Sequence, residues 1–236
     1  MALTAELIKE RVEGVRACIA EALYRSGRGP DEVRMLVATK YYESSQIGAL
    51  ADAGIRLLGE NRAEDLLEKQ QAFGDRFEWH FIGHLQRRKV RRIVERVSLV
   101  HSVDSERLVE ELAKRATEEG VEILIQVNVS GEPSKYGVGE GEVEPLLEAV
   151  ARTEGRVLAR GFMTLAPLVE RAEDIRYVFA KLRDIRDRLR IDWSPHFDLS
   201  ELSMGMSSDY GVAIEEGATI VRIGRAMIEQ AREARS

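Results

Sequence analysis

Lys40 closes the apolar run Met35-Leu36-Val37-Ala38-Thr39, just ahead of a helical stretch from about Glu43 to Ala53. The run has the length and β-branched content of a buried strand, so it puts a primary amine at that strand's carboxyl end. Ligands of α/β proteins bind at the carboxyl ends of parallel strands. An amine shielded there sheds its proton more readily and can condense with an aldehyde to an imine. The same position also suits a lysine that snorkels from a strand end into water.

Arg222 is the second such residue, set inside Ile220-Val221-Arg222-Ile223 where a strand should be buried. A guanidinium offers only donors and keeps its charge, so burial demands a partner. That partner is either a barrel glutamate or aspartate, or a ligand acceptor such as a pyridine nitrogen. The third group is small: Ser207, Ser208 and the flexible Gly205, with Gly224 and the amides that follow it. Small residues and free N–H groups suit a dianionic phosphate, though ordinary turns use the same residues. An imine-forming lysine, a phosphate cradle and a donor for a ring nitrogen together describe pyridoxal 5′-phosphate.

These residues need a scaffold that gathers them. Strand-like segments fall near Arg34–Lys40, Ile55–Gly59, Trp79–Gly83, Leu99–Ser102, Glu122–Val129, Val157–Met163, Phe197–Leu202 and Thr219–Ile223. Helical patterns, such as Glu106–Glu118 and Ala172–Arg190, fill the gaps. Ahead of them lies a first helix over about Leu3 to Arg25, apolar at Ile8, Val12, Val15, Ile19 and Leu23 and ended by Gly27-Arg28-Gly29-Pro30. Alternating strands and helices predict a single (β/α)₈ TIM barrel with an extra N-terminal helix, one domain over residues 1–236, an open doubly wound sheet being the other arrangement. In a barrel, Lys40, Gly59-Glu60-Asn61, Gly83-His84, Asn128-Val129-Ser130, Met163-Thr164, Ser203 to Asp209 and Gly224 share one mouth.

Composition narrows the classes. Of 236 residues 44% are hydrophobic, yet no apolar stretch approaches the ~20 residues of a membrane span. The N-terminus carries acids among its apolar residues, unlike a signal peptide, and the net charge of −6 argues against nucleic-acid binding. Cys18, the one cysteine, reads as a buried core thiol, and the chain as cytoplasmic. His80, His101 and His196 lack metal-ligand spacing, and His80 and His101 read as strand residues with a hydrogen-bond partner. Arg87-Arg88-Lys89 with Arg91-Arg92 reads as a solvated helix face. Met163, Met204 and Met206 read as packing residues lining the site, and Lys135 as a surface lysine or a second aldehyde acceptor.

Several longer motifs carry a resemblance: Lys40, Gly59-Glu60-Asn61, Trp79 to Gln86 with Lys89, Gln126-Val127-Asn128, Ser134-Lys135-Tyr136-Gly137, Leu202 to Asp209 and Val221-Arg222-Ile223-Gly224. In these the chain resembles the pyridoxal phosphate homeostasis proteins, from Lys40 to Gly224. The resemblance implies a barrel related to the N-terminal domain of alanine racemase, with pyridoxal phosphate held as a Schiff base on Lys40. It further implies phosphate near Ser207, Gly224 and the following amide, Arg222 facing the ring nitrogen, and Asn61, His84 and Met204 beside the cofactor. The family's usual threonine after Gly224 is replaced here by Arg225.

Three functions use such a site: a module that stores or hands over the cofactor, a pyridoxal-phosphate racemase or decarboxylase, and a cofactor-free Schiff-base aldolase. Racemisation benefits from a second acid/base on the far face of the cofactor, supplied in alanine racemase-like enzymes by another domain or subunit. Only twelve residues follow Gly224. An arginine on the ring nitrogen also weakens the ring as an electron sink. The expectation is therefore a monomeric cofactor-binding protein, without turnover, whose partners are pyridoxal phosphate and apo-enzymes that need it.

Overall fold

The structure, a computed structural model, describes residues 4–132 and 136–228. Eight short parallel strands close into a barrel in sequential order, with β1 also paired to β8. They are β1 (Arg34–Ala38), β2 (Leu57–Glu60), β3 (Glu78–Phe81), β4 (Leu99–Val103), β5 (Val121–Gln126), β6 (Val157–Met163), β7 (Glu201–Met206) and β8 (Ile220–Ile223). Around them lie α1 (Ala5–Arg25), α2 (Ser44–Asp52), α3 (Ala63–Phe73), α4 (Val90–Ile93), α5 (Glu106–Arg115), α6 (Val143–Ala151), α7 (Arg176–Trp193) and α8 (Tyr210–Glu215). The predicted barrel with its extra N-terminal helix is what forms. Among the described residues no helix is long and apolar enough to cross a membrane.

Strand alternation divides the core into two layers. Leu36, Leu57, Leu99, Leu124, Met163 and Ile220 make one cluster, packed inside the barrel. The opposite faces of the strands pack under the helices, for example Val37, Leu58, Val100, Leu202 and Val221.

Four expectations need correction. β1 ends at Ala38, and Lys40 sits two residues beyond it in a 3₁₀ turn, Thr39–Tyr41, closed by the Tyr42 N–H donating to the Thr39 carbonyl at 3.0 Å. The seventh strand begins at Glu201, not Phe197, because Phe197 and Leu199 are buried in the outer core, where Phe197 stacks on Trp193 of α7. That shift gives Ser203 the inward position and turns Met204 outward, fully buried in the outer layer and away from the mouth. Cys18 is exposed, not buried: it lies about 100° around α1 from Ile19, off the stripe of Ile8, Val12, Val15, Ile19 and Ala22.

Gly205 lets β7 pack closely against α8. Its φ is +89°, and a Cβ there would meet the Ala213 Cβ of α8 at 2.6 Å. Only glycine allows this backbone and this close approach of strand to helix.

Candidate functional site

The turn after β1 is held from below by a buried ion pair. Lys69, on the buried stripe of α3, donates to Glu60 at the end of β2 (2.5 Å) and to the Thr39 carbonyl (2.8 Å). The Thr39 hydroxyl also donates to Glu60, which is completely buried. Glu60 thus faces α3 instead of the mouth, and its carboxylate fixes the residue preceding Lys40. Lys40 itself is exposed, its Nζ 4.8 Å from the centre of the Tyr41 ring.

Beside Lys40, Asn61 takes its position from Gly83, where a Cβ would lie 2.2 Å from the Asn61 carbonyl oxygen. Asn61 Oδ1 is buried and has no hydrogen-bond partner among the described residues. A buried acceptor left without a donor is costly, and a ligand donor would relieve it. His84 is exposed, with Nδ1 3.6 Å from Asp104 and its ring stacked on Tyr136 at 4.1 Å and 17°. Burial pushes the Asp104 carboxyl up from its ordinary range.

Across the mouth, the N–H groups of Gly224 and Ala226 both donate to Ser207 Oγ at 3.1 Å. Two amides converging on one oxygen form a cradle of the kind that accepts a phosphate oxygen. Arg225, between them, is exposed. Asp209 ties this loop together by accepting from the Met206 N–H at 2.6 Å.

Arg222 lies on the inside of β8, only 5% exposed. Its Nη atoms donate to Ser203 Oγ at 2.6 Å and to the Thr164 carbonyl at 2.8 Å. No carboxylate among the described residues comes within ion-pair distance of it, so the salt-bridge reading of this arginine finds no support there. Burial pulls its guanidinium down to about 10, with only the more distant Asp209 opposing. A buried cation whose contacts are all neutral is incompletely compensated, and a polar or anionic ligand in the mouth would supply what is missing.

Lys40, Asn61, His84, Ser207, Gly224 and Arg225 therefore all stand on the loops and turns after the strands, at one end of the barrel, with Arg222 below them on the inner face of β8. Met204 does not join them, and Lys135 lies outside the described residues. Sequence reasoning missed the Glu60–Lys69 pair, although Lys69 falls three residues after Leu66 on the apolar stripe of α3. It also left open which partners His80 and His101 take; the structure gives them each other.

The sequence profile of the alanine racemase N-terminal domain matches residues 40–230. A pyridoxal phosphate homeostasis protein of Aquifex aeolicus is 42% identical over 218 residues, which cover 91% of this chain and 94% of that protein. One from Escherichia coli K12 is 35% identical over 230 residues, 93% of this chain and 95% of its own length. The chain belongs to the alanine racemase N-terminal domain family and, within it, to the pyridoxal phosphate homeostasis proteins. PipY of Synechococcus elongatus, solved with pyridoxal phosphate bound, superposes with a TM-score of 0.81 at 32% identity, over 94% of this chain and all of that one. Alanine racemase of Corynebacterium glutamicum shares the fold, with a TM-score of 0.70 at 13% identity over 98% of this chain and 63% of that one.

Proposed function

We propose that the barrel mouth binds pyridoxal 5′-phosphate as a Schiff base on Lys40 and that the protein holds and hands on this cofactor in the cytoplasm. The observation that carries the reading is Arg222, a buried cation bonded only to neutral oxygens. A pyridine nitrogen is an acceptor of the right kind for its remaining N–H groups, and its neighbours supply the rest of a cofactor site. Ser207 and the Gly224 and Ala226 amides would take the phosphate. Asn61 would accept from a polar group at the ring edge. The Lys40 nitrogen would add to the aldehyde carbon, and the carbonyl oxygen would leave as water with both amine protons, giving C=N.

When bound, the cofactor supplies an aldehyde that is reactive toward amines and a ring that can delocalise charge. The protein's part is to fix and shield it. The bound pyridoxal phosphate in PipY supports the cofactor, and the names of the relatives support storage and transfer over turnover. Recipients on this reading are apo-enzymes that need the cofactor, served by a monomer. Titration of the purified protein with pyridoxal phosphate should raise a visible imine band that borohydride bleaches into a stable adduct. No band at saturating cofactor would refute the reading. Proton–deuterium exchange at Cα of a panel of amino acids should stay near the rate of free cofactor. Exchange faster by orders of magnitude, and dependent on Lys40, would make the protein an enzyme instead.

A further inference from the structure

Inside the barrel, a line of polar side chains crosses a lumen that such folds usually fill with branched apolar residues. It begins at Glu78, at the amino end of β3, whose carboxylate lies 2.8 Å from His80 Nε2. His80 Nδ1 lies 2.8 Å from His101 Nε2, and His101 Nδ1 lies 2.9 Å from Ser203 Oγ. Ser203 Oγ in turn lies 2.6 Å from an Nη of Arg222. Four strands contribute: β3, β4, β7 and β8. His80, His101 and Ser203 are at most 1% exposed, so water does not stand in for any of these bonds.

The two ends determine every proton between them. Arg222 can only donate, so Ser203 Oγ accepts from it and has its own hydrogen left for His101 Nδ1. A neutral His101 then carries its hydrogen on Nε2 and donates to His80 Nδ1. His80 carries its hydrogen on Nε2 and donates to the carboxylate, which can only accept. Burial holds both imidazoles below their ordinary value and so favours these neutral forms. With the opposite tautomers, Ser203 would face two donors and His80 Nε2 would point a lone pair at Glu78. At the outer end, Ser98 donates to Glu78 at 3.0 Å and Arg34 stands 3.6 Å away, itself paired with Glu201 at 2.9 Å.

We propose that Glu78, His80, His101 and Ser203 form a one-directional hydrogen-bond relay that positions Arg222 as a fixed donor to the cofactor ring. The inference rests on the cofactor reading above. Because Ser203 is committed as an acceptor and the Thr164 carbonyl takes the other Nη, both arms of the guanidinium are pinned. Hydrogen bonds in series hold one another in a common direction, so the acceptor at the closed end of the barrel fixes the donor at the open end. Glu78, His80, His101 and Ser203 are positioning residues: they act only through Arg222.

The test uses the outer end, where the Glu78 side chain is 44% exposed and substitution leaves the core intact. Glu78→Gln keeps an acceptor for His80. Glu78→Lys offers only donors and forces the tautomers to reverse. Nitrogen-15 spectra of the histidines in the cofactor-free protein should show both His80 and His101 as Nε2–H tautomers, inverted only in Glu78→Lys. That readout does not depend on the cofactor, so failure of the relay is distinguishable from failure of the cofactor reading. In the loaded protein, Glu78→Lys should shift the imine band and weaken cofactor binding by about tenfold, the scale of one lost charge-assisted hydrogen bond. Glu78→Gln should match wild type in both. Wild-type histidines found as Nδ1–H tautomers, or a Glu78→Lys protein with unchanged band and affinity, would overturn the proposal. Equal effects in the Gln and Lys variants would do the same, because charge rather than bond direction would then be at work.

Discussion

Lys69 on α3 and Thr39 in the turn after β1 are joined by a hydrogen bond: the ammonium donates to the Thr39 carbonyl oxygen at 2.8 Å, one residue before Lys40. The same ammonium pairs with the fully buried Glu60. Removing one member of a buried pair strands the other charge, at a cost of about 3–5 kcal/mol. Lys69→Met should therefore lower the urea midpoint sharply, and adding Glu60→Gln should recover part of the loss. The yield of borohydride-trapped adduct should fall in the single variant, since the turn that carries Lys40 loses its anchor. A loss below about 1 kcal/mol, typical of an exposed pair, would show that this one does not hold the turn.

Lys40 is exposed at the mouth, so its replacement removes chemistry and little packing. Lys40→Ala should lose the visible band and the trapped adduct while its circular dichroism and thermal midpoint stay close to wild type. Peptide mapping after reduction should place the adduct on Lys40. Recovery of most of it on Lys135 would reassign the reactive amine.

Arg222→Gln separates ligand binding from stability. The amide can still donate to Ser203 or to the Thr164 carbonyl, and a buried charge without a carboxylate disappears. The cofactor-free protein should change in stability by less than about 2 kcal/mol, the scale of one imperfectly replaced hydrogen bond. The imine spectrum and the cofactor affinity should change clearly. Severe unfolding with a normal spectrum in the surviving fraction would make Arg222 a structural residue.

Burial holds His80 and His101 below the ordinary imidazole value, His101 well below. Folding thus disfavours their charged forms, whereas the unfolded chain takes up protons near about 6.5. Their contribution is present above that pH and is lost as pH falls toward the folded values. Each histidine adds a slope of up to about 1.4 kcal/mol per pH unit. Glu78, held near about 2 by its bond from His80, acts only below the ordinary carboxylate range. Asp104 and Asp209, pushed up by burial, act in the opposite sense. The urea midpoint should thus fall between about pH 6.5 and 5, and His101→Phe should flatten that slope. An unchanged slope in the variant would mean that other groups set it.

Barrel, strand order and most of the mouth were legible because each rests on local pattern. Runs such as Met35 to Ala38 and Ile220 to Ile223 reveal strands, and the residue after a strand belongs to the mouth whatever its neighbours. Where two signals conflicted, the reading failed. Phe197 and Leu199 are more apolar than Ser203-Met204-Gly205-Met206, yet the latter form the strand, since Gly205 tolerates a conformation no local rule anticipates there. Met204 then changed sides with the register. The relay was illegible for another reason. Residues 78, 80, 101, 203 and 222 meet only when four strands close in a particular register, and no spacing along the chain encodes that meeting.

On the resemblance drawn from the sequence, Arg225 replaces a threonine, and the structure shows what such a substitution leaves intact. The Gly224 and Ala226 amides converge on Ser207 Oγ, and neither needs the intervening side chain, which is exposed. Exchanging threonine for arginine then costs one hydroxyl hydrogen bond, about 1 kcal/mol. Water and salt screen whatever an exposed guanidinium returns by its charge. Arg225→Thr should therefore alter cofactor affinity by less than about tenfold, the equivalent of 1.4 kcal/mol. Ser207→Ala, which removes the oxygen on which both amides converge, should weaken binding at least as much as Arg225→Ala. Equilibrium dialysis of the three variants at low and high salt ranks them directly. A collapse of affinity confined to Arg225→Ala and steep in salt would mean that a side-chain charge grips the phosphate, with the amide cradle secondary.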